Sequence, residues 1–240
     1  MNTKNLSFRR ITAGIELLPH HISLPRHRHF SAYATVVLAG SFEEAGYSGR
    51  IVASAGDVLI HPTLDCHANR VVSAGAKLIR FNWPDATGIG GLYHTDLIDE
   101  LARLAEKDVE AATELLISAV NKKLAPSPHK KNDWPDQLLG DLTRDSMESI
   151  GQWAEQKGLA RETISRGFTL AYGVVPSVFR AEMRARTAWL RVTRTTDSLS
   201  RIATETGFAD QAHMTRWIHR ISGIPPASWR KNHGSWHAVS

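Results

Sequence analysis

Three histidines and a pair of arginines are the side chains whose types and spacing point most directly to chemistry. His27 and His29 lie in LPRHRHF, residues 24–30, and His67 ends GDVLIHPTLDCH, residues 56–67. Residues two apart on a strand face the same way, so His27 and His29 share a face. Three converging imidazoles are a donor set for a transition metal. The same residues, with Tyr33 near them in sequence, equally suit the wall of an organic-ligand pocket or a hydrogen-bonded core. His61 and Cys66 stand close by as further donors, although a lone cysteine more often fills a core as a small apolar residue. The second chemistry is hydrogen bonding to nucleic-acid bases. Arg166 and Arg216 both sit in helix-like segments, and arginine can grip guanine O6 and N7 through two parallel bonds.

The arginines are placed by a repeated pattern. In residues 207–230, GFADQAHMTRWIHRISGIPPASWR, Gly207 can take the left-handed conformation that ends a helix. Phe208 is an apolar plug and Asp210 an N-cap for the next helix. Met214, Trp217, Ile218 and Ile221 recur at helical spacing and form its core-facing stripe. Gln211, Ala212, Thr215, Arg216 and His219 occupy the other face. Gly223 stops the helix, and Pro225 and Pro226 start another. Upstream, Asp145 or Ser146 can cap a helix whose apolar face is Ile150, Trp153 and Ala154. A turn at 156–160 leads to a helix over 161–171 that buries Ile164 and Phe168 and exposes Arg161, Glu162, Ser165, Arg166 and Thr169. The run ISRGF at 164–168 parallels MTRWI at 214–218, and both copies continue to Gly-x-x-Pro, at 173–176 and 223–226. This is an internal repeat of about 50 residues. Between the copies, residues 177–194 hold no glycine or proline and predict a helix roughly 27 Å long. That is near the roughly 34 Å of one DNA turn. Arg184, Arg186, Arg191 and Arg194 lie on it, placed for phosphates or for solvent.

Residues 1–90 predict β-structure. Runs rich in β-branched residues at 33–38, 50–53, 58–60, 68–72 and 77–82 are separated by Gly40, Gly46, Gly49, Gly56 and Gly75, the pattern of a sandwich or barrel. Helical periodicity continues the chain over 96–124, with a break at Lys107 and Asp108. The segment 125–133, APSPHKKND, is the expected linker, and a short helix is expected over 134–143.

Composition bounds these readings. The 240 residues are 42% hydrophobic and 22% charged, as in a soluble protein of one large or two ordinary domains. No apolar run reaches 18 residues, so no membrane span or membrane partner is expected, and residues 1–14 carry no signal-peptide pattern. A single cysteine excludes an internal disulfide framework and fits a cytoplasmic location. From Lys157 onward there are 13 Lys+Arg against 5 Asp+Glu, while residues 1–156 hold 16 against 19. The basic third predicts an acidic partner, most often nucleic acid.

The double pattern resembles the C-terminal signature of AraC/XylS-type transcription regulators, which carry two helix-turn-helix units joined by one long helix. The segments around His27–His29 and His67 resemble the two cupin half-motifs: His-x-His, then a Gly-Asp turn, a proline and a histidine five residues later. The departure is that cupin metal enzymes usually add a glutamate about four residues after the second histidine, where Tyr33 and Ala34 stand here. The resemblance implies an α+β multidomain chain with a cupin-like sensing β-barrel at 1–90 and accessory or dimerisation helices at 91–124. After the linker at 125–133 it implies an all-α double helix-turn-helix domain at 134–233.

The implied function is a non-enzymatic, sequence-specific regulator acting on double-stranded DNA, controlled by a small molecule and working as a homodimer. Bases would be read by Arg161, Glu162, Ser165 and Arg166 in the first unit and by Gln211, Ala212, Thr215 and Arg216 in the second. The pocket would be His27, His29, Tyr33 and His67. In regulators of this type such histidines usually hold no metal, so no cofactor is implied. The alternative is a cupin-type metalloenzyme or metal-responsive regulator using His27, His29 and His67. An architectural DNA protein without a ligand is a third reading.

Overall fold

The structure is a computed structural model that describes residues 12–71, 74–84, 90–121, 125–126, 131–144 and 149–231. It joins an N-terminal sheet to C-terminal helices. Its contacts divide the chain into two units, one of Met1–Gly140 with Arg166–Gly173 and one of Asp141–Ser165 with Val174–Ser240.

The first unit is built on strands β1 (Gly14–Leu18), β2 (Ser23–Arg28), β3 (Tyr33–Gly46), β4 (Gly49–Ser54), β5 (Asp57–His61), β6 (Cys66–Arg70), β7 (Ala76–Asn82), β8 (Gly91–His94) and β9 (Ala125–Pro126). The strand order is β1-β7-β3-β5-β8-β9, with β4 and β6 also on β3 and β2 on β6. Gly40 does not end a strand, as its residue type led us to expect. β3 passes through it with a register shift between Val37 and Ala39 and with Gly40 at φ +72°. A Cβ there would collide with the carbonyl of Gly75, so the bend requires glycine. Before the bend β3 pairs with β5 and β7; beyond it, with β4 and β6. One strand therefore serves two parts of the sheet.

Alternation sorts the side chains. Ala34, Val36, Val58, Ile60, Ile79 and Phe81 face one way, onto helices α1 (Ile98–Ala105) and α2 (Val109–Asn121), which bury Leu101, Ala112 and Leu116 against them. Fully burying each such leucine contributes about 1.5–3 kcal/mol. The intervening positions, among them Tyr33, Thr35, His61, Leu78 and Arg80, face a small interior space. The helical break falls between α1 and α2, as the sequence predicts. The helix α3 (Trp134–Thr143) comes next, and Arg50 holds its start through two bonds to Asp136, of 3.0 and 2.8 Å.

The C-terminal helices are α4 (Ile150–Gln156), α5 (Arg161–Tyr172), α6 (Pro176–Arg194), α7 (Leu199–Glu205), α8 (Gln211–Ser222) and α9 (Pro226–Lys231). α5 gives its first five residues to the second unit and the rest to the first. The cap of α4 is Ser149, which accepts from Gln152 N, rather than Asp145 or Ser146, which lie outside the described residues. Ser198 caps α7 and Asp210 caps α8 in the same way. In the second unit α6 buries Phe179, Ala185, Ala188, Trp189 and Val192, and the Trp189 and Trp229 rings meet edge-on at 5.4 Å. Among the described residues no helix is long and apolar enough to cross a membrane.

Candidate functional site

The histidines converge because strand register brings them together. His27 lies opposite His67 across β2 and β6, and Tyr33 lies opposite His61 across β3 and β5. His29 comes just after the end of β2 and is held by backbone bonds to the turn at 62–65: His29 N to Asp65 O at 3.2 Å and Leu64 N to His29 O at 3.1 Å. Leu64 adopts φ +60°, uncommon for a branched side chain. The buried Arg28 guanidinium donates to its carbonyl at 2.6 Å. Strain held this way is a usual companion of a functional site. His27, His29, His61 and His67 are all buried, with ring centroids 4.7–5.2 Å apart for the pairs His27–His29, His27–His67, His29–His67 and His61–His67.

Two carboxylates that the sequence pattern does not place complete the cluster. Asp65 accepts from Nδ1 of His61 at 2.8 Å and of His67 at 3.1 Å. That fixes the tautomer of each neutral ring and puts the lone pair on Nε2. Glu44 comes from the far half of β3, its Oε2 lying 3.7 Å from His61 Nε2 and 3.9 Å from His67 Nε2. Tyr33 and Glu44 are eleven positions apart, roughly 36 Å on a straight strand. The bend at Gly40 brings them to one site, so a carboxylate reaches it although the motif position four residues after His29 holds Tyr33. Asp65-x-His67 was a readable signal, a carboxylate two residues from a histidine. Glu44 had none, because its place depends on the bend.

Electrostatics reflect burial. Burial alone favours neutral His61, but Glu44 and the Asp65 hydrogen bond outweigh it and raise its pKa. For Asp65 burial pulls upward, yet the bonds from His61 and His67 win and hold its carboxyl well below the usual range. Burial, reinforced by Glu44 and Asp65, raises the Tyr33 phenol; its hydroxyl is 3.2 Å from His67 Nε2. Two trios bring ligand atoms within 4.8 Å of one another: His27, His29 and His67, and Glu44, His61 and His67. Both donor sets suit a transition metal. Cys66 is buried, as expected of a small core residue.

The base-reading candidates lie on α5 and α8. Arg161, Glu162 and Arg166 are exposed on α5, as are Gln211, Ala212 and Arg216 on α8, while Ser165 and Thr215 are half-buried. The first positions differ in one respect. Arg161 reaches back along α4, so that a Cβ at Gly151 would stand 2.9 Å from its guanidinium. Trp217, expected in the buried stripe, is instead half-buried: its Nε1 donates to His213 at 3.0 Å and Arg220 stacks 4.9 Å from its ring. Of the arginines on α6, Arg191 is engaged with Asp197 at 2.7 Å and with Glu205, and Arg184 donates to Gly207 O at 2.9 Å. These two brace the second helix pair.

Residues 153–232 match the family model described as a helix-turn-helix domain. Among solved structures, ToxT from Vibrio cholerae O395 aligns at 8% identity over 93% of this chain and 98% of its own, with a TM-score of 0.40. An AraC-type DNA-binding domain regulator from Chromobacterium violaceum aligns at 22% identity over 41% of this chain and 89% of its own, with a TM-score of 0.37. The DNA-binding domain of AdpA, solved with a target DNA, aligns at 17% over 45% and 100%, with a TM-score of 0.40. These likenesses are too loose to place a residue. No curated protein matches the chain. The family match runs from within α4 to just past α9, so the C-terminal region of this chain carries a helix-turn-helix domain.

Proposed function

We propose that the chain is a sequence-specific DNA-binding transcription regulator in which a cupin-like N-terminal barrel senses a small ligand and a double helix-turn-helix domain reads DNA. The observation that carries this reading is the equivalence of α5 and α8. Both have 12 residues, buried side chains at the fourth, eighth and twelfth positions, and an exposed arginine two positions after the first buried residue. α6, at 19 residues, is about 28 Å long, a length suited to offering both helices to successive turns of one duplex face. Arg166 and Arg216 are the principal base readers. Glu162, Ser165, Gln211 and Thr215 support them, and Ala212 contributes a methyl contact at most. The ligand lies among His27, His29, Tyr33 and His67. α1 and α2 offer the surface for a homodimer, the commonest symmetric assembly.

The test is selection of genomic fragments by the purified full-length chain, followed by anisotropy titration of the best fragment. Arg216→Ala is expected to weaken that fragment by about 1–3 kcal/mol while leaving random DNA little changed. Affinity for both should fall steeply with salt. A flat salt titration, or a folded Arg216→Ala protein with unchanged operator affinity, overturns the reading.

A further inference from the structure

We propose that the N-terminal unit binds one divalent transition-metal cation through His61 Nε2, His67 Nε2 and the Glu44 carboxylate. The proposal rests on the sensor reading above and names the class of ligand sensed: a metal ion rather than an organic molecule.

The donors are already aimed. Asp65 accepts a hydrogen bond from Nδ1 of both imidazoles, which leaves both Nε2 atoms toward Glu44. Glu44 Oε2 is itself fixed by Asn69 Nδ2 at 2.9 Å, its cross-strand neighbour on β6. A carboxylate behind each ligating histidine and a donor behind the ligating carboxylate is the supporting shell that orients metal ligands. Bonds of about 2.0–2.2 Å around a four-coordinate ion put ligand atoms roughly 3.3–3.5 Å apart. The observed separations of 3.7 and 3.9 Å need to contract by only a few tenths of an ångström. The Tyr33 hydroxyl lies 3.2 Å from His67 Nε2, a hydrogen bond that an ion on that nitrogen would replace.

Size and charge select the ligand. The cavity that Tyr33, Glu44, His61, His67 and Arg80 help to line is about 10 Å³. That is room for one water-sized particle, far below the roughly 300 Å³ at which organic-ligand pockets begin. Glu44 and Asp65 are both buried, and two carboxyl groups lining one small space favour a cationic occupant over an anionic or apolar one. Arg80, the guanidinium lining the cavity, is bound to Glu16 at 2.7 Å. The trio of His27, His29 and His67 has no carboxylate, and the one Nε2 of His67 serves a single ion, so the trio containing Glu44 is favoured.

The experiment uses the full-length chain, stripped with a chelator and titrated with Co(II), read by its visible d–d absorption, with Zn(II) as competitor. One equivalent per chain is expected. Glu44→Gln, nearly isosteric, and His61→Ala should each weaken binding by at least about 10–100-fold, and Asp65→Asn by a similar factor. His94→Ala, at a histidine outside the cluster, should bind like the parent. Circular dichroism checks each fold, and Glu44→Gln carries the test if His61→Ala does not fold. Absence of stoichiometric binding overturns the proposal, as does loss in His29→Ala with retention in folded Glu44→Gln. A second arm measures operator affinity with and without the metal. A filled site with DNA affinity unmoved upholds the metal site and overturns the sensor reading.

Discussion

The first helix pair, α4 with α5, and the second, α7 with α8, share one local grammar. Serine caps at Ser149 and Ser198 open them. Gly158 and Gly207 end their leading helices at φ +64° and +75°. Leu159 N to Ala154 O and Phe208 N to Ala203 O, both 2.9 Å, close equivalent turns. Gly173 and Gly223 end α5 and α8 at φ +77° and +71°, and Pro176 and Pro226 start α6 and α9. The difference lies in what the second helix of each pair joins. Ser222, which closes α8, accepts from Trp229 Nε1 at 2.8 Å inside the helical unit. Tyr172 in the matching place on α5 donates to Asp136 at 2.6 Å and accepts from Arg26 at its carbonyl, so that the end of α5 is wired into the sheet-bearing unit. Equivalent helices thus read as one self-contained element and one shared element.

The strongest way to break this comparison is to empty the equivalent core positions. Phe168 and Ile218 are both fully buried. Truncation to alanine should cost about 3–5 kcal/mol at Phe168 and about 2–5 at Ile218. Hydrogen exchange locates the damage. Phe168→Ala should loosen α3 and the strand segment around Arg26, whereas Ile218→Ala should loosen α6, α7 and α9. If Phe168→Ala acts only on α4 and α6, then α5 is not shared. Next in size is the arginine pair. Arg166→Ala and Arg216→Ala should each weaken operator binding by roughly 1–3 kcal/mol, each at its own half of the site, which base substitutions within the operator can distinguish.

Much of this comparison was legible in the sequence, and the reasons are local. Gly207, Asp210 and Gly223 announce helix ends through backbone conformation and capping, which depend on a few neighbours. The helical spacing of Ile164 with Phe168 and of Met214 with Ile218 fixed the buried faces. Trp217 was misread because spacing gives a direction and not a depth; its indole sits at the edge of the stripe, against His213 and Arg220. In the N-terminal unit the histidine pair and His67 were visible, but Glu44 was not. Its position is set by a bend in β3 that depends on Gly75 lying against Gly40, a contact between strands far apart in sequence. The engagement of Tyr172 with Asp136 was likewise invisible, because pattern alone says only that the residue is buried.

Acid should separate the two pairs. Asp136 is held down to about 2 against burial by Arg50 and the Tyr172 hydroxyl. Its folded pKa is below the unfolded value of 3.8. The stability it contributes is therefore complete above about pH 4 and is lost as pH falls through 2. Tyr172→Phe removes a charge-assisted bond and should cost about 1–3 kcal/mol at neutral pH. That deficit should shrink toward pH 2, where the carboxyl is protonated in both proteins. Ser222→Ala has no ionisable partner to lose, so its deficit in denaturant melts should stay constant over the same range. A Tyr172→Phe deficit independent of pH would remove the ionic link from α5.

The finest test uses the two terminating glycines, because they share a conformation and differ only in surroundings. A Cβ at Gly223 would meet nothing within 4 Å, whereas one at Gly173 would lie 3.2 Å from Arg26 Cβ. Alanine in the left-handed region costs about 1–2 kcal/mol through its own backbone, wherever it sits. Gly223→Ala should show that cost alone. Gly173→Ala should show it together with a packing penalty, since Arg26 also spans from the Tyr47 ring to the Tyr172 carbonyl and has little freedom to withdraw. The difference between the two variants in urea melts cancels the shared backbone strain and isolates the contact between the end of α5 and β2. A second substitution, Arg26→Ala, should shrink that difference without abolishing it, because it removes Cγ and Cδ beside the new methyl but keeps Cβ. If the two glycine variants are equally destabilised, α5 ends as freely as α8, and the asymmetry between the pairs resides in the Tyr172 hydroxyl alone.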